Sequence, residues 1–104
     1  MIYLGNAFSL QMLDLQEKTS VNVTPVTLTE VTNADFVSVV GHADTAAVLT
    51  DMLQRSVACN RTSVRLQVGD VLFVAQVTGG RLPEGATRLP EGFSLTFLKV
   101  ELAE

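Results

Sequence analysis

The stretch FVSVVGHADTAAVLTDMLQR, residues 36–55, predicts a β-strand that leads directly into an α-helix. Residues 36–40 are apolar and mostly β-branched, which is typical of a buried strand. Asp44 then stands in the first turn of the expected helix and Arg55 in its last turn, where the helix dipole favours each charge. This pattern places the chain in the α/β class. Apolar residues recur at helical spacing between the two charges, at Ala46, Val48, Leu49, Met52 and Leu53.

The flanking segments predict a small mixed β-sheet of about five strands, with one main helix and a short N-terminal helix that Ser9 caps. Pro25 directs its strand to an edge of the sheet, because proline cannot donate a ladder hydrogen bond. Gly69 and Asp70 form a turn between two alternating segments, which predicts a β-hairpin. The expected strands, besides residues 36–40, cover residues 2–4, 20–29, 62–68, 71–77 and 93–102.

The composition bounds the class of protein. The chain has 104 residues, of which 47% are hydrophobic, so we expect a single domain over residues 1–104. So apolar a composition in so short a chain indicates surface buried against a partner, and a C2 homodimer is the simplest arrangement. The net charge of −4 argues against a general binder of duplex nucleic acid, which should be basic.

The sequence has no motif for a cofactor or a metal ion. Cys59 is the single cysteine and His42 the single histidine, so there is neither an internal disulfide nor a zinc cluster. We therefore expect no cofactor, a reduced cytoplasmic setting, and Cys59 as a buried apolar residue. At the N-terminus we expect neither a signal peptide nor a membrane span, because residues 1–15 contain no basic region and no long apolar run.

Individual polar residues allow a structural and a functional interpretation. His42 precedes a helix, where it is either a cap or surface residue or a group that meets a phosphate and moves a proton. Asn6 and Ser9 are either turn and cap residues or ligand donors. Arg61 is either solvated or bound to a phosphate, and Gln76 is either a hydrogen-bonded core residue or a ligand contact.

The pentapeptide RLPEG occurs twice, at residues 81–85 and 88–92. Each copy contains an arginine, a glutamate and a proline–glycine turn. The residues alone do not decide whether Arg81 and Glu84, or Arg88 and Glu91, belong to a site.

Four motifs in order resemble a known family. They are YLGNAFSLQML at residues 3–13, VGHADT at residues 40–45, Asn60-Arg61, and RLPEG at residues 81–85. The chain resembles the small viral and prokaryotic ring nucleases that act as type III anti-CRISPR proteins. Those proteins degrade cyclic tetra-adenylate, the second messenger of type III CRISPR defence. Their pattern reads L-x-N-A-F-S-x-x-M-L, then G-H-x-x-[ST], then N-R, then a strand with glutamine that leads to R-L-x-E-G.

The resemblance implies a role for each matching residue. His42 would be the catalytic residue, Arg81 would hold the scissile phosphate, and Glu84 would orient His42 and favour its protonated form. The first RLPEG copy matches the family. Arg88 and Glu91 of the second copy would then belong to a loop that repeats the sequence without a role in the site. The family usually has a helix between this motif and the last strand, and the present chain lacks that helix. The ligand would be contacted by Asn6, Ser9, Gln11, Arg61 and Gln76.

The implied reaction needs no metal ion. The ribose 2′-OH attacks the adjacent phosphorus, a 2′,3′-cyclic phosphate forms, and His42 protonates the departing 5′-oxygen. A C2 dimer would place one His42 on each of two opposite phosphodiesters and release two linear di-adenylates. Two alternatives remain open: a non-catalytic sensor or sponge for cyclic oligoadenylate, and an interaction protein. The sequence does not separate a viral from a cellular origin; a viral protein would act in the host cytoplasm.

Overall fold

Within residues 1–103, which the computed structural model describes, the strands are β1 Ile2–Gly5, β2 Val21–Val26, β3 Val37–Ser38, β4 Val71–Thr78 and β5 Ser94–Leu102, and the helices are α1 Leu28–Asn33, α2 Ala43–Leu53 and a 3₁₀ turn, Leu10–Met12. Strand β1 is parallel to both of its neighbours, β3 and β4, whereas β5 is antiparallel to β4 and β2. These five strands form one mixed sheet with the order β2-β5-β4-β1-β3.

The mixed α/β sheet of five strands confirms the predicted fold class. Strand β2 lies at the edge of the sheet, as Pro25 indicated, and Pro25 stands opposite Leu98 of β5. The N-terminal helix is a single 3₁₀ turn, and the Oγ of Ser9 caps it by accepting the Gln11 N–H at 3.2 Å. None of the helices within residues 1–103 is long and apolar enough to span a bilayer.

Helix α2 covers one face of the sheet. Its apolar stripe, Ala46, Leu49 and Leu53, is buried in the same cluster as Leu4 of β1 and Phe73 of β4. This burial fixes the helix because its isolated propensity would be marginal at this length. The start of the helix is therefore held at a defined place beside the carboxyl end of β1.

The end of α2 differs from the prediction. The helix stops at Leu53, and Gln54 adopts a left-handed conformation with φ 54°. Arg55 thus lies beyond the last turn. Its Nη1 donates to the carbonyl oxygens of Thr32 at 2.9 Å and Ala34 at 2.6 Å, at the end of α1, and its guanidinium stacks on Phe36. Arg55 satisfies the carbonyl end of α1 rather than that of α2.

The predicted hairpin is wrong, because residues 62–68 form no strand. Val64 and Leu66 are instead buried against the second face of the sheet, with Leu72, Val74 and Val100. The Leu66 N–H donates to the Met12 carbonyl at 2.8 Å, and Met12 belongs to the 3₁₀ turn rather than to a strand of the sheet. Both sides of β4 are already taken by β1 and β5, so the alternating segment buries its apolar side by lying across the sheet.

Two further local expectations are corrected. The segment 20–29 was expected as one strand, yet the strand ends at Val26 and α1 follows. Thr27 caps this helix, since its Oγ1 accepts the Glu30 N–H at 3.1 Å; threonine followed by glutamate three residues later is a helix-start signal. Cys59 is exposed rather than buried, although its backbone pairs with Val40 in an isolated bridge.

Gly79 is the glycine that the loop after β4 requires. It has φ 108°, and a Cβ there would lie 2.8 Å from the Gly92 carbonyl oxygen. We expect Gly79→Ala to lower the free energy of unfolding by about 2–6 kcal/mol, from left-handed strain and from overpacking together. Urea denaturation measures this loss.

Gly69→Ala is the matched control for that substitution. Gly69 also has a positive φ, 97°, but a Cβ there would meet nothing within 4 Å. Its loss should come from backbone strain alone, about 1–3 kcal/mol. Equal losses for the two variants would show that the close approach of the Gly92 carbonyl to residue 79 adds nothing to the loss of stability.

Candidate functional site

A cavity of about 280 Å³ lies at the carboxyl ends of the parallel strands β1 and β4. In open α/β sheets this edge is the usual place for a ligand, because the loops that leave the strands converge there. Three of the residues predicted to bind the ligand or take part in the reaction, Asn6, His42 and Arg81, line it together. Its walls are formed by Asn6, His42, Asp44, Thr45, Ala75, Val77, Gly80, Arg81 and Leu82.

Asn6 holds two parts of the cavity together. It directly follows β1, and its Oδ1 accepts the Gly41 N–H at 3.1 Å across the gap to the start of α2. Because a backbone N–H must meet the oxygen of the amide, this bond fixes which end of the side chain is which. The Nδ2 group of Asn6 therefore remains as a donor for a ligand.

His42 is free to act on a ligand. It is the residue before the first turn of α2, with extended φ and ψ of −127° and 130°, and its side chain makes no capping hydrogen bond. The imidazole is exposed and lines the cavity. The unpaired N–H groups and the dipole at the start of α2 add a site that favours an anion beside it.

The two RLPEG copies form the same turn. The Ala86 N–H donates to the Pro83 carbonyl in the first copy, and the Phe93 N–H donates to the Pro90 carbonyl in the second, both at 3.1 Å. The glycines, Gly85 and Gly92, have φ values of 79° and 86°, as a type II turn requires at its third position.

The surroundings of the two turns differ. In the first copy, Arg81 and Leu82 line the cavity, and the Gly85 N–H donates to Asp44 Oδ1 at 3.1 Å. In the second copy, neither Arg88 nor Glu91 lines it, and the turn instead brings its glycine carbonyl against Gly79. The first copy belongs to the cavity. The second copy packs against Gly79, directly after the carboxyl end of β4.

Glu84 lies in the cavity loop but does not pair with His42. It is exposed, and within residues 1–103 the ion pairs involve only the N-terminus with Asp70 and Lys99 with Glu30 and Glu101. The carboxylate that lines the cavity is that of Asp44, in the first turn of α2. The role expected for Glu84 stays a prediction.

Ser9 and Gln11 lie elsewhere. They line a larger cavity of about 760 Å³, beside Arg65 and the exposed Leu10 and Leu15. Met12 and Val64 also line it and belong to the apolar cluster on the second face of the sheet. This cavity is therefore separate from the one that contains His42.

Arg61 and Gln76 take different positions again. Residues 58–60 run beside β3, with the Asn60 N–H donating to the Val40 carbonyl at 2.7 Å. Arg61 follows, and its Cγ lies 3.4 Å from where a Cβ on Gly41 would stand, so its stem packs next to the residue before His42. Gln76 lies between Ala75 and Val77, which face the smaller cavity, and strand alternation therefore directs it to the opposite face.

The sequence interpretation missed the other two polar side chains of the smaller cavity, Asp44 and Thr45. Thr45 is the buried polar residue of the core, with 9% of its surface exposed. The sequence contained a signal for Thr45, because residues three apart on a helix share a face and Thr45 stands three residues after His42.

Within residues 1–103, no three histidine, cysteine, aspartate or glutamate side chains are grouped so that they could hold a metal ion.

Comparison with known proteins identifies the family. No curated protein matches the chain significantly. Among solved structures, B116 of Sulfolobus turreted icosahedral virus superimposes with a TM-score of 0.75 at 19% identity, over 96% of this chain and 97% of that one. At this identity the likeness shows a shared fold. The family model described as STIV B116-like matches residues 2–96, and this chain therefore belongs to the STIV B116-like family.

Proposed function

We propose that this protein is a metal-independent ring nuclease, which cuts cyclic tetra-adenylate into linear di-adenylates and so ends type III CRISPR signalling. The observation that carries the proposal is the smaller cavity, where Asn6, His42 and Arg81 meet at one edge of the sheet. Their motifs lie far apart in the sequence, so this convergence was not imposed by local structure. A donor, an acid and a cation around one space suit a phosphodiester.

The reaction follows from these groups. The ribose 2′-oxygen forms a bond to the adjacent phosphorus while the bond from phosphorus to the 5′-oxygen breaks. The imidazolium of His42 gives its proton to the departing 5′-oxygen, and the proton of the 2′-OH passes to water. Arg81 binds the non-bridging oxygens and stabilises their charge as the transition state forms. One product end is a 2′,3′-cyclic phosphate and the other a 5′-OH.

The cavity is too small for the whole ring. Its volume of about 280 Å³ falls below the range of about 300–1,000 Å³ typical of small-molecule sites. Each cavity would therefore take one phosphodiester of the ring, and a C2 homodimer would supply the second. The exposed apolar side chains near Ser9 and Gln11, Leu10 at 65% and Leu15 at 57%, suit a surface covered by another protomer.

The direct test is cleavage in EDTA. Purified protein is incubated with radiolabelled cyclic tetra-adenylate and the chelator, and the products are resolved by chromatography. We expect linear di-adenylate with a 2′,3′-cyclic phosphate. Analytical ultracentrifugation of the protein should give the molecular mass of a dimer. A ring that stays intact would reject the proposal, whether or not the melting temperature of the protein changes.

A second candidate function is a non-catalytic sensor or sponge for the same ring. It is favoured by one observation: no ion pair joins Glu84 to His42, although a catalytic histidine would gain from a carboxylate partner. In that case the ring would raise the melting temperature of the protein and remain intact.

The setting of the protein is part of the proposal. The solved relative, B116, is a protein of Sulfolobus turreted icosahedral virus. This favours a viral origin for the present chain and action in the cytoplasm of an infected host. A protein that removes the second messenger there would counter the defence of that host.

Asn6→Asp separates the structural bond of this residue from its contact with the ligand. The aspartate keeps an oxygen for the Gly41 N–H but replaces the Nδ2 donor by a negative oxygen. We expect ring affinity to fall about tenfold or more, because a hydrogen bond to a charged group is lost. Calorimetric titration in the His42→Ala background measures this without cleavage.

The melting temperature is the control for Asn6→Asp. It should stay near that of the parent protein, whereas Asn6→Ala should lower it by removing the bond to Gly41 as well. Unchanged ring affinity for Asn6→Asp would show that the amide does not contact the ligand.

A further inference from the structure

We propose that Asp44 is a positioning residue that holds the loop carrying Arg81 in place beside His42. This inference rests on the proposed function, since it concerns the same cavity. Asp44 is half-buried in the first turn of α2, two residues after His42, and lines the cavity. Its Oδ1 accepts the N–H of Gly85, which is 41 residues away in the sequence.

This hydrogen bond is the main polar attachment of the loop. Residues 80–93 contain two turns that are closed by their own backbone, at Ala86 and Phe93. In the part of the chain that the structure describes, the bond from Gly85 to Asp44 is the single hydrogen bond from residues 80–93 to the remaining chain. Loss of Asp44 would therefore free the loop, and with it the guanidinium of Arg81, from the start of α2.

The charge of Asp44 makes a direct contact with the ligand unfavourable. A carboxylate in a space that receives a phosphodiester repels it, and the dipole at the start of α2 compensates only in part. The hydrogen bond between Asp44 and Gly85 is a tether for the loop, and it explains why residue 44 is a hydrogen-bond acceptor. The N–H of Gly85 needs an oxygen and does not need a charge. Asparagine offers the same oxygen without the charge, which gives a conservative variant that isolates the tether.

The test compares Asp44→Ala with Asp44→Asn, using Asp51→Ala, an exposed residue of the same helix, as the matched control. For Asp44→Ala we expect kcat for ring cleavage to fall about ten- to a hundredfold, with a smaller change in KM, because Arg81 is misplaced for the transition state. Asp44→Asn should keep kcat within about twofold of the wild type, with KM equal or lower. Asp51→Ala should match the wild type in both constants.

A second measurement does not depend on cleavage. Amide hydrogen exchange at Gly85, followed by NMR, should be faster in Asp44→Ala than in the wild type and near the wild-type rate in Asp44→Asn. If the wild type leaves the ring intact while exchange behaves as expected, the tether holds and the proposed function fails. If the wild type cleaves the ring and Asp44→Ala cleaves it equally well, the positioning role is overturned. A lower melting temperature of Asp44→Ala with unchanged kcat would likewise overturn it.

Discussion

His42→Ala is expected to lower the rate of ring cleavage by about 10²–10⁴, which is the contribution usual for a general acid. The departing 5′-oxygen is a poor leaving group unless it is protonated, and His42 is the single histidine of the chain. Ring affinity should change little, since Asn6 and Arg81 remain in the cavity. Single-turnover cleavage with labelled ring measures the rate, and titration with unlabelled ring measures the affinity.

The structure makes His42→Ala a clean experiment. The side chain of His42 is exposed and makes no capping hydrogen bond, so its removal should leave the melting temperature nearly unchanged. Added imidazole should restore part of the rate, because it can supply the missing proton. A variant that cleaves as fast as the wild type would assign the acid to another group or to water.

The main helix and its neighbouring strand were predictable because their signals are local. Asp44 in the first turn and the spacing of Leu49 and Leu53 indicate a helix without reference to the remaining chain. The false hairpin shows the limit of such signals. An alternating segment buries one side equally well as a strand within a sheet or as a strip across its face, and Val64 and Leu66 do the latter. Which strands flank β4 depends on residues far away, so the alternation could not decide it.

The candidate site was predictable where motifs follow strand ends. Asn6 comes directly after β1 and Arg81 shortly after β4, and parallel strands deliver such residues to one edge. The orientation of Gln76 could also have been deduced from the alternation of its own strand. The bond between Asp44 and Gly85 could not, because it joins a helix start to a loop turn that share no sequence pattern.

The doubled RLPEG shows how one pentapeptide obtains two roles. Both copies fold into the same turn because each places a glycine, Gly85 or Gly92, at the third position, where a positive φ is needed. Their difference comes from what each turn meets: Asp44 for the first copy and Gly79 for the second. Local sequence therefore determines the turn, and tertiary contacts determine its role.

Arg81→Ala is expected to lower kcat/KM for ring cleavage by about 10²–10³, comparable with the loss of one donor that stabilises a transition-state charge. Arg81 lines the cavity beside His42 and is the arginine among its wall residues. Arg81→Lys should recover only part of the loss, because a lysine keeps the charge but not the bidentate geometry of the guanidinium. Steady-state kinetics with labelled ring measure all three proteins.

Arg88→Ala is the matched control, since it removes the same residue from the same pentapeptide seven residues later in the sequence. Arg88 is exposed and lies outside the cavity wall, so kcat/KM should stay within about twofold of the wild type. Because the two variants differ in neither net charge nor local sequence, a general electrostatic effect on the anionic ring would appear in both. A larger loss for Arg88→Ala than for Arg81→Ala would transfer the phosphate contact to the second copy and contradict the site proposed around His42.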